Sequence, residues 1–434
     1  MRINSNSAAT RGRPQQKLAF AWLIWGLAAA FYFSDYMARV APSVMHRHLQ
    51  LDFGMNEAQF GILTASFYVP YVLMQIPVGL MVDRISIRWL LTLMSLLTAF
   101  GCCVFGLADG LIMASVGRML IGFSAAFAFI SALRLATSWF PPSMLGFLAG
   151  LTQALGMLGA AAGQAPVSFL VENIGWRHSM LVVAFLFIVL AALLYQYVRD
   201  YPLAQTCEVN IKQEGTLRLF SGVWTVLSSR QTWINALYAG CLFGPTAVIG
   251  ESLGAAYLQY GRGLQAHAAA FAIGLIFIGW SIGGPLSGWL SDRIGRRKPI
   301  MIMSAVSGLI LSSWIIFYPE FDTSTAYILC FLFGFTNTGV AIAYAVSTEL
   351  HQRRVVGMAI AFTNMASIFV GASLQPLVGK LVDHIAGARA YHVEHILLSD
   401  FQFGLQLLPV CSLVALVLAC MIKETYCTPL KNDV

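Results

Sequence analysis

Apolar runs long enough to cross a lipid bilayer recur along the whole chain, and this recurrence limits its fold more than any other feature. A helix rises about 1.5 Å per residue, so roughly 20 residues cross a hydrocarbon layer of ~30 Å. Twelve runs are read, at 18–45, 60–82, 87–108, 111–139, 144–171, 176–198, 231–258, 267–290, 299–318, 324–349, 355–382 and 401–422. Backbone groups in lipid must find internal hydrogen-bond partners, so each run is predicted to be helical. Only 10% of the residues are charged, well below the ~25% usual in soluble domains, and mean hydropathy is +0.73. The expectation is an all-α, multi-pass membrane protein.

Lysine and arginine set the predicted orientation. They crowd the amino-terminal tail (Arg2, Arg11, Arg13, Lys17) and alternate loops: Arg84 with Arg88, the 199–230 segment, Arg293 to Lys298, and Arg353 with Arg354. The remaining loops hold only Arg47, Arg177, Arg262 and Arg389. The positive-inside rule then places both termini in the cytoplasm of a cell (inner) membrane. The net charge of +7 follows from this topology, so no nucleic-acid partner is implied. The expected organisation is a cytoplasmic tail (1–17), a six-helix bundle (18–198), a cytoplasmic central loop (199–230), a second six-helix bundle (231–422) and a short tail (423–434). Within the central loop, "LRLFSGVWTVL" is read as a short amphipathic surface helix.

Several chemistries lack their motifs. The eight cysteines show no metal-ligand spacing, and no phosphate-binding G-x-x-x-x-G-K-[ST] loop, dinucleotide G-x-G-x-x-G or zinc-binding H-E-x-x-H is present. No cofactor, no metal and no enzyme activity are expected. Without a nucleotide site, work against a gradient has to draw on an ion gradient.

An internal repeat supports two related halves. "GLMVDRISIR" (79–88) follows the second run and "GWLSDRIGRRK" (288–298) follows the eighth. The pattern G-x-x-x-D-R-x-G-R-R/K resembles the signature of the major facilitator superfamily, and "GRMLIG" in the fourth run is similar to that superfamily's R-x-x-x-G motif at Arg118 and Gly122. The resemblance implies twelve helices in two pseudo-symmetric six-helix bundles, with a site between them. It also implies gating roles for Gly79, Asp83, Arg84, Arg118, Gly288, Asp292 and Arg293. Asp83 and Asp292 would latch onto helix ends of the opposite bundle. The first copy has Ser86 and Ile87 where the pattern has Gly and Arg, which implies a weaker lock there. The resemblance is nearest to organic-anion/proton symporters, partly through "SWFPPSMLGFLAG" between runs four and five.

Polar residues inside the runs mark the candidate site. On a helical wheel Tyr32, Asp35, Arg39, Pro42 and His46 share one face within about 60°, and Phe33, Met37, Val40 and Val44 form the opposite, lipid-facing side. A charge in lipid costs at least about 2.5 to 3.5 kcal/mol, so it normally meets protein or water. Asp35 and Arg39, at i and i+4, are expected to pair with each other. That pair is either a fixed bridge or a switch in which Asp35 exchanges a proton. Tyr68, Tyr71 and Gln75 in the second run and Gln153 and Gln164 in the fifth are expected to form polar walls, as are Asn337, Tyr344, Asn364 and Gln375 in the second half. Arg134 is the second candidate for holding substrate charge, and Glu251 a second coupling carboxylate. Glu349 before Arg353 reads as a gate ion pair. Gly156, Gly159 and Gly163 on one face of the fifth run would admit a neighbouring helix closely.

The favoured function is proton-coupled uptake of a small organic anion, a carboxylate, by alternating access. The partners are the anionic substrate, protons and membrane lipids, and the expected state is a monomer. A proton-driven efflux antiporter for a drug or a carboxylate-type siderophore is the alternative. A non-transporting membrane receptor or intramembrane enzyme ranks below both.

Overall fold

The computed structural model describes residues 12–141, 144–200, 225–319, 321–352, 355–389 and 397–428. Side chains are described for these residues except 12–17, 76, 79, 80, 83, 84, 145, 146, 388 and 389. The expectations for the amino-terminal tail, most of the central loop, Arg353 and the side chains at Gly79, Asp83 and Arg84 therefore lie outside the described residues.

Among the described residues the chain is all helical. The first group comprises α1 (Gly12–Val40), α2 (His46–Phe53), α3 (Glu57–Ser66), α4 (Tyr68–Arg84), α5 (Ile87–Gly106), α6 (Leu111–Trp139), α7 (Leu145–Ala162) and α8 (Ala165–Tyr197). The second comprises α9 (Arg230–Val248), α10 (Ala266–Ile294), α11 (Lys298–Phe317), α12 (Thr323–Thr336), α13 (Gly339–Glu349), α14 (Val356–Arg389), α15 (Leu398–Leu405) and α16 (Leu407–Met421). Ten helical runs among the described residues are long and apolar enough to cross a membrane. One of them, Phe147–Tyr197, bends at Gly175, whose φ of 77° is accessible to glycine at little cost. The protein is a multi-pass membrane protein.

Helix interruptions have local causes. Pro70 has no N–H for the Ser66 carbonyl, and the chain breaks there at Phe67, between α3 and α4. After α1 the backbone tightens into a 3-10 segment, Ala41–Met45, with Pro42 in its first turn. Beyond α9 the helix widens into two π-helical stretches, Ile249–Leu253 and Tyr257–Gly261. Gly244 and Pro245 do not break α9; the π widening comes after them and sets the direction of Glu251.

Within the first group α1 packs on α6 and α7, and α5 on α6 and α8; within the second α9 packs on α14 and α16, and α10 on α12. Between the groups, α14 lies against α3 and α10 against α7. Of the expected lipid face of α1, Val40 is fully buried, while Phe33 and Met37 are half-buried. The α7 backbone packs closely along this side, where a Cβ on Gly159 would overlap the Phe33 carbonyl and one on Gly163, just past α7, would strike Val40. The polar stripe of α1 was read from its own periodicity, which cannot reveal a second helix behind it.

The contact of α3 with α14 is backbone to backbone. A Cβ at Gly61 would come 2.6 Å from the Gln375 carbonyl oxygen, and one at Gly379 would overlap the Glu57 carbonyl. Glu57 N and Ala58 N donate to the two Asp383 carboxylate oxygens at 3.0 and 2.7 Å, so a carboxylate of one group caps the first turn of a helix in the other. Gly379→Leu should separate these helices. With cysteines placed at Ala58 and Asp383 in an otherwise cysteine-free protein, cross-linking by a short bifunctional reagent should fall severalfold when Gly379→Leu is added. Unchanged cross-linking would show that the close approach is not needed.

Candidate functional site between the two helix groups

Arg39, one residue before the end of α1, is 3% exposed and turns toward the second group. Its Nη2 lies 2.9 Å from Glu251 Oε1, and its Nε and Nη2 donate to the Tyr68 hydroxyl at 3.2 and 3.0 Å. The Tyr68 hydroxyl in turn donates to Glu251 Oε2. Tyr36, Phe67 and Tyr68 surround the guanidinium with ring centroids 4.9 to 5.6 Å away, within cation–π reach. A buried cation thus has two oxygen partners and an aromatic box.

The expected Asp35–Arg39 pair does not form. Asp35 is 2% exposed, makes no ion pair among the described residues, and its Oδ1 has no hydrogen-bond partner. The physical reason is competition for one guanidinium. Two buried carboxylates lie near this guanidinium, and Glu251 takes it through a direct ion pair reinforced by the Tyr68 hydroxyl, which bonds to both partners. Arg118, 1% exposed in α6, donates to the Ala38 and Thr64 carbonyls at 3.1 and 3.3 Å and lies over the Phe67 ring. It occupies the α3–α4 break, where Gly122 lets α6 approach the Phe67 backbone.

A second polar chain runs below this pair. Tyr344 donates to Asn364 Oδ1 at 2.9 Å, and Asn364 Nδ2 donates to Gln75 Oε1 at 3.1 Å, joining α13, α14 and α4. Tyr32 donates to Gln153 Oε1 at 3.2 Å and stands edge-on to Tyr36. Tyr71 stacks on Phe67. The structure therefore gathers Tyr32, Arg39, Tyr68, Tyr71, Gln75, Gln153, Glu251, Tyr344 and Asn364 around the space where the groups meet.

Other anticipated wall residues sit elsewhere. Asn337 Nδ2 donates to the Leu242 carbonyl and Thr246 Oγ1, both at 2.9 Å, and bridges the α12–α13 break inside the second group. Gln375 is fully buried and donates to the Ala247 carbonyl at 3.4 Å. Both act as packing amides, as polar groups at helix contacts commonly do. Gln164 donates to the Gly250 carbonyl at 2.8 Å and belongs to the seal between the groups. Arg134 is half-buried, five residues before the end of α6, and forms an interaction of its own.

The second copy of the repeated loop also differs from expectation. Asp292 does not reach the first group: it is exposed and pairs with Arg297 of its own loop at 2.6 Å. Arg297 also holds Glu349 at 2.7 Å, so Glu349 pairs with Arg297 among the described residues, where Arg353 was expected. Burial opposes the charge of Arg297, but the hydrogen bonds it donates to Glu349 and Asp292 outweigh it and raise its pKa further. Arg293 lies over Trp289, and Gly288 has open space around it.

Hydrogen bonds and ion pairs between the groups come, among the described residues, from Arg39, Glu57, Ala58, Thr64, Tyr68, Gln75 and Gln164 on one side. On the other they come from Gly250, Glu251, Ser252, Asn364 and Asp383. None involves the loops around Arg88 or Arg293 to Lys298. The groups are sealed at the face opposite those basic loops. His46 and Glu57, 2.8 Å apart and both buried, lie inside that seal. His46 lies on the polar face expected from the wheel, but its pairing with Glu57 and the capping role of Asp383 were not anticipated.

The site is embedded between two packed groups of membrane-spanning helices. The sequence model of the Major Facilitator Superfamily matches residues 24–376, and the chain belongs to that family. As a member of that family it is a transporter and not an enzyme. It is similar to a probable sulfoacetate transporter of Cupriavidus necator, 27% identical over 65% of this chain and 67% of the relative. It is also similar to a D-galactonate transporter of Escherichia coli, 24% identical over 80% and 85%. In fold it resembles an inward-facing, unoccupied bacterial homologue of the human lysosomal transporter Spinster, with a TM-score of 0.71 over 94% of this chain and 96% of that one, at 18% identity.

If Glu251 exists to neutralise Arg39, its removal alone should be worse than removal of both. Glu251→Ala should destabilise the protein by about 3–5 kcal/mol, the cost of an uncompensated buried charge. Arg39→Met combined with Glu251→Met should recover most of that loss. Thermal midpoints of the purified variants in one detergent check this, and equal losses would place the stability elsewhere.

Proposed function

We propose that the protein is a proton-coupled importer of a small organic anion that alternates access around Arg39. The observation that carries this reading is the Arg39–Glu251 pair, which joins the two helix groups and includes Tyr68 in the same contact. An incoming carboxylate or sulfonate presents Arg39 with the same oxygens that Glu251 now supplies. Binding of the anion and release of Glu251 are then one exchange, and the seal between the groups loosens with it.

Charge balance supplies the coupling. Arg39, Arg118, Asp35 and Glu251 are all buried here, and with both carboxylates ionised their charges balance. A monoanion entering it would leave one uncompensated negative charge in the membrane interior, which is costly. Protonating one carboxylate restores neutrality, and Asp35, with an unpartnered oxygen, is the group with least to lose on protonation. One proton per monoanion is the expected minimum. The anionic substrates named for the two relatives support the same class.

The reading assigns twelve spans in two six-helix bundles, 18–198 and 231–422, with the 57–84 pair as one crossing and the run broken at Gly175 as two. Both termini are cytoplasmic and the sealed face is external. Tyr32, Tyr71, Gln75, Gln153, Tyr344 and Asn364 form the walls, and Arg134 is the second anion contact on the cytoplasmic side.

In proteoliposomes, with a substrate first found by thermal-shift screening of carboxylates and sulfonates, Asp35→Asn should abolish uphill uptake driven by an inward proton gradient. Substrate counterflow should persist. Unchanged uphill uptake would remove Asp35 from coupling, and absence of gradient-dependent flux for every ligand that binds would defeat the transporter mechanism. Arg134→Gln should weaken anion affinity at least about tenfold, the scale of one lost charge-assisted contact, and unaltered affinity would make it structural.

A further inference from the structure

A cavity of about 710 Å³ opens on the flank of α11, away from the site between the groups. Its wall is one face of the helix, with Ile302, Met303, Val306 and Ile310 at helical spacing. Its mouth carries the cations Arg296 and Lys298. The carboxyl-terminal tail closes one side with Glu424 and Tyr426.

The two ends of this groove make opposite demands on an occupant. Met303 and Ile310 are 54% and 44% exposed on a helix whose mean hydropathy is 2.1, so the lower part opens into hydrocarbon. The distance from Lys298 to Ile310 is about 18 Å at 1.5 Å per residue, close to one leaflet of a ~30 Å core. At the mouth, Glu424 is already committed: its carboxylate accepts from Arg297 N at 2.8 Å and Lys298 N at 3.1 Å. Lys298 Nζ uses one of its three donors on the Cys420 carbonyl at 2.5 Å, and the Arg296 side chain is exposed. Two cationic groups therefore remain at the membrane boundary above an acyl-length apolar channel.

We propose that this groove binds one anionic diacyl phospholipid, its phosphodiester held by Arg296 and Lys298 and an acyl chain lying along Ile302, Met303, Val306 and Ile310. Basic pockets at the ends of membrane helices recognise anionic headgroups by this combination of charge and apolar depth. Arg297, between the two cations, is the residue that holds Asp292 and Glu349. A lipid at the mouth would brace that ion-pair cluster and the tail that caps it.

Native mass spectrometry of the full-length protein, delipidated in detergent and titrated with phosphatidylglycerol or with phosphatidylcholine of the same chains, tests the assignment. Phosphatidylglycerol should be retained with about tenfold preference, the scale of two cations worth a few-fold each. Arg296→Gln with Lys298→Gln should abolish the preference without lowering the thermal midpoint of the lipid-free protein. Met303→Trp, which fills the channel, should reduce retention while leaving both cations in place. Equal retention of the two lipids by the wild type, an undiminished preference in the double variant, or equal stabilisation by free glycerol phosphate would each overturn the proposal.

Discussion

A guanidinium and a carboxylate withdrawn from water each need an opposite charge, and among the described residues Arg39 and Glu251 find theirs across the boundary between two groups of helices. That constraint ties local structure to global arrangement. Arg39 can reach Glu251 because α1 ends in a tight 3-10 turn at Pro42 and because the chain after α9 widens into a π-helix. π-Helical turns are rare and concentrate at functional positions. Here the widening presents Glu251, Ser252 and the Gly250 carbonyl together to the opposite group.

The surrounding seal depends on the same closeness. Gly61 and Gly379 bring backbones into contact, Asp383 caps α3 from the other side, and Thr64 meets Ser252 at 3.2 Å. None of these contacts survives separation of the groups, so they make and break as a unit with the ion pair. At the opposite face Arg297, Asp292 and Glu349 satisfy one another within the second group, leaving that face without an equivalent bond among the described residues. In the proposed mechanism the chemistry of exchange and the geometry of closure share one pair of side chains.

Much of this architecture was legible in the sequence. Span-length apolar runs led to the helices, and the repeated Gly-x-x-x-Asp-Arg loop led to the family. Periodicity placed Tyr32, Asp35 and Arg39 on one face of α1. It failed where the answer lies on another helix. The partner of Arg39, the close packing of α7 along the Phe33 and Val40 side of α1, and the packing roles of Asn337 and Gln375 are all tertiary facts that a wheel drawn for one helix does not contain. Asp383 was missed because a carboxylate near the end of a run looks like an ordinary boundary charge. Asp292 was expected to latch across the boundary, but Arg297, five residues on, provides a nearer cation that satisfies it within the loop.

The central claim is that the Arg39–Glu251 contact holds the sealed face shut. Spin labels on Gln59 of α3 and His384 of α14, followed by pulsed electron–electron distance measurement in lipid nanodiscs, report that face directly. In the wild type the account predicts a single short distance, and in Glu251→Gln a second, longer population produced by weakening the pair while keeping its shape. A distance distribution identical in the two proteins would contradict it.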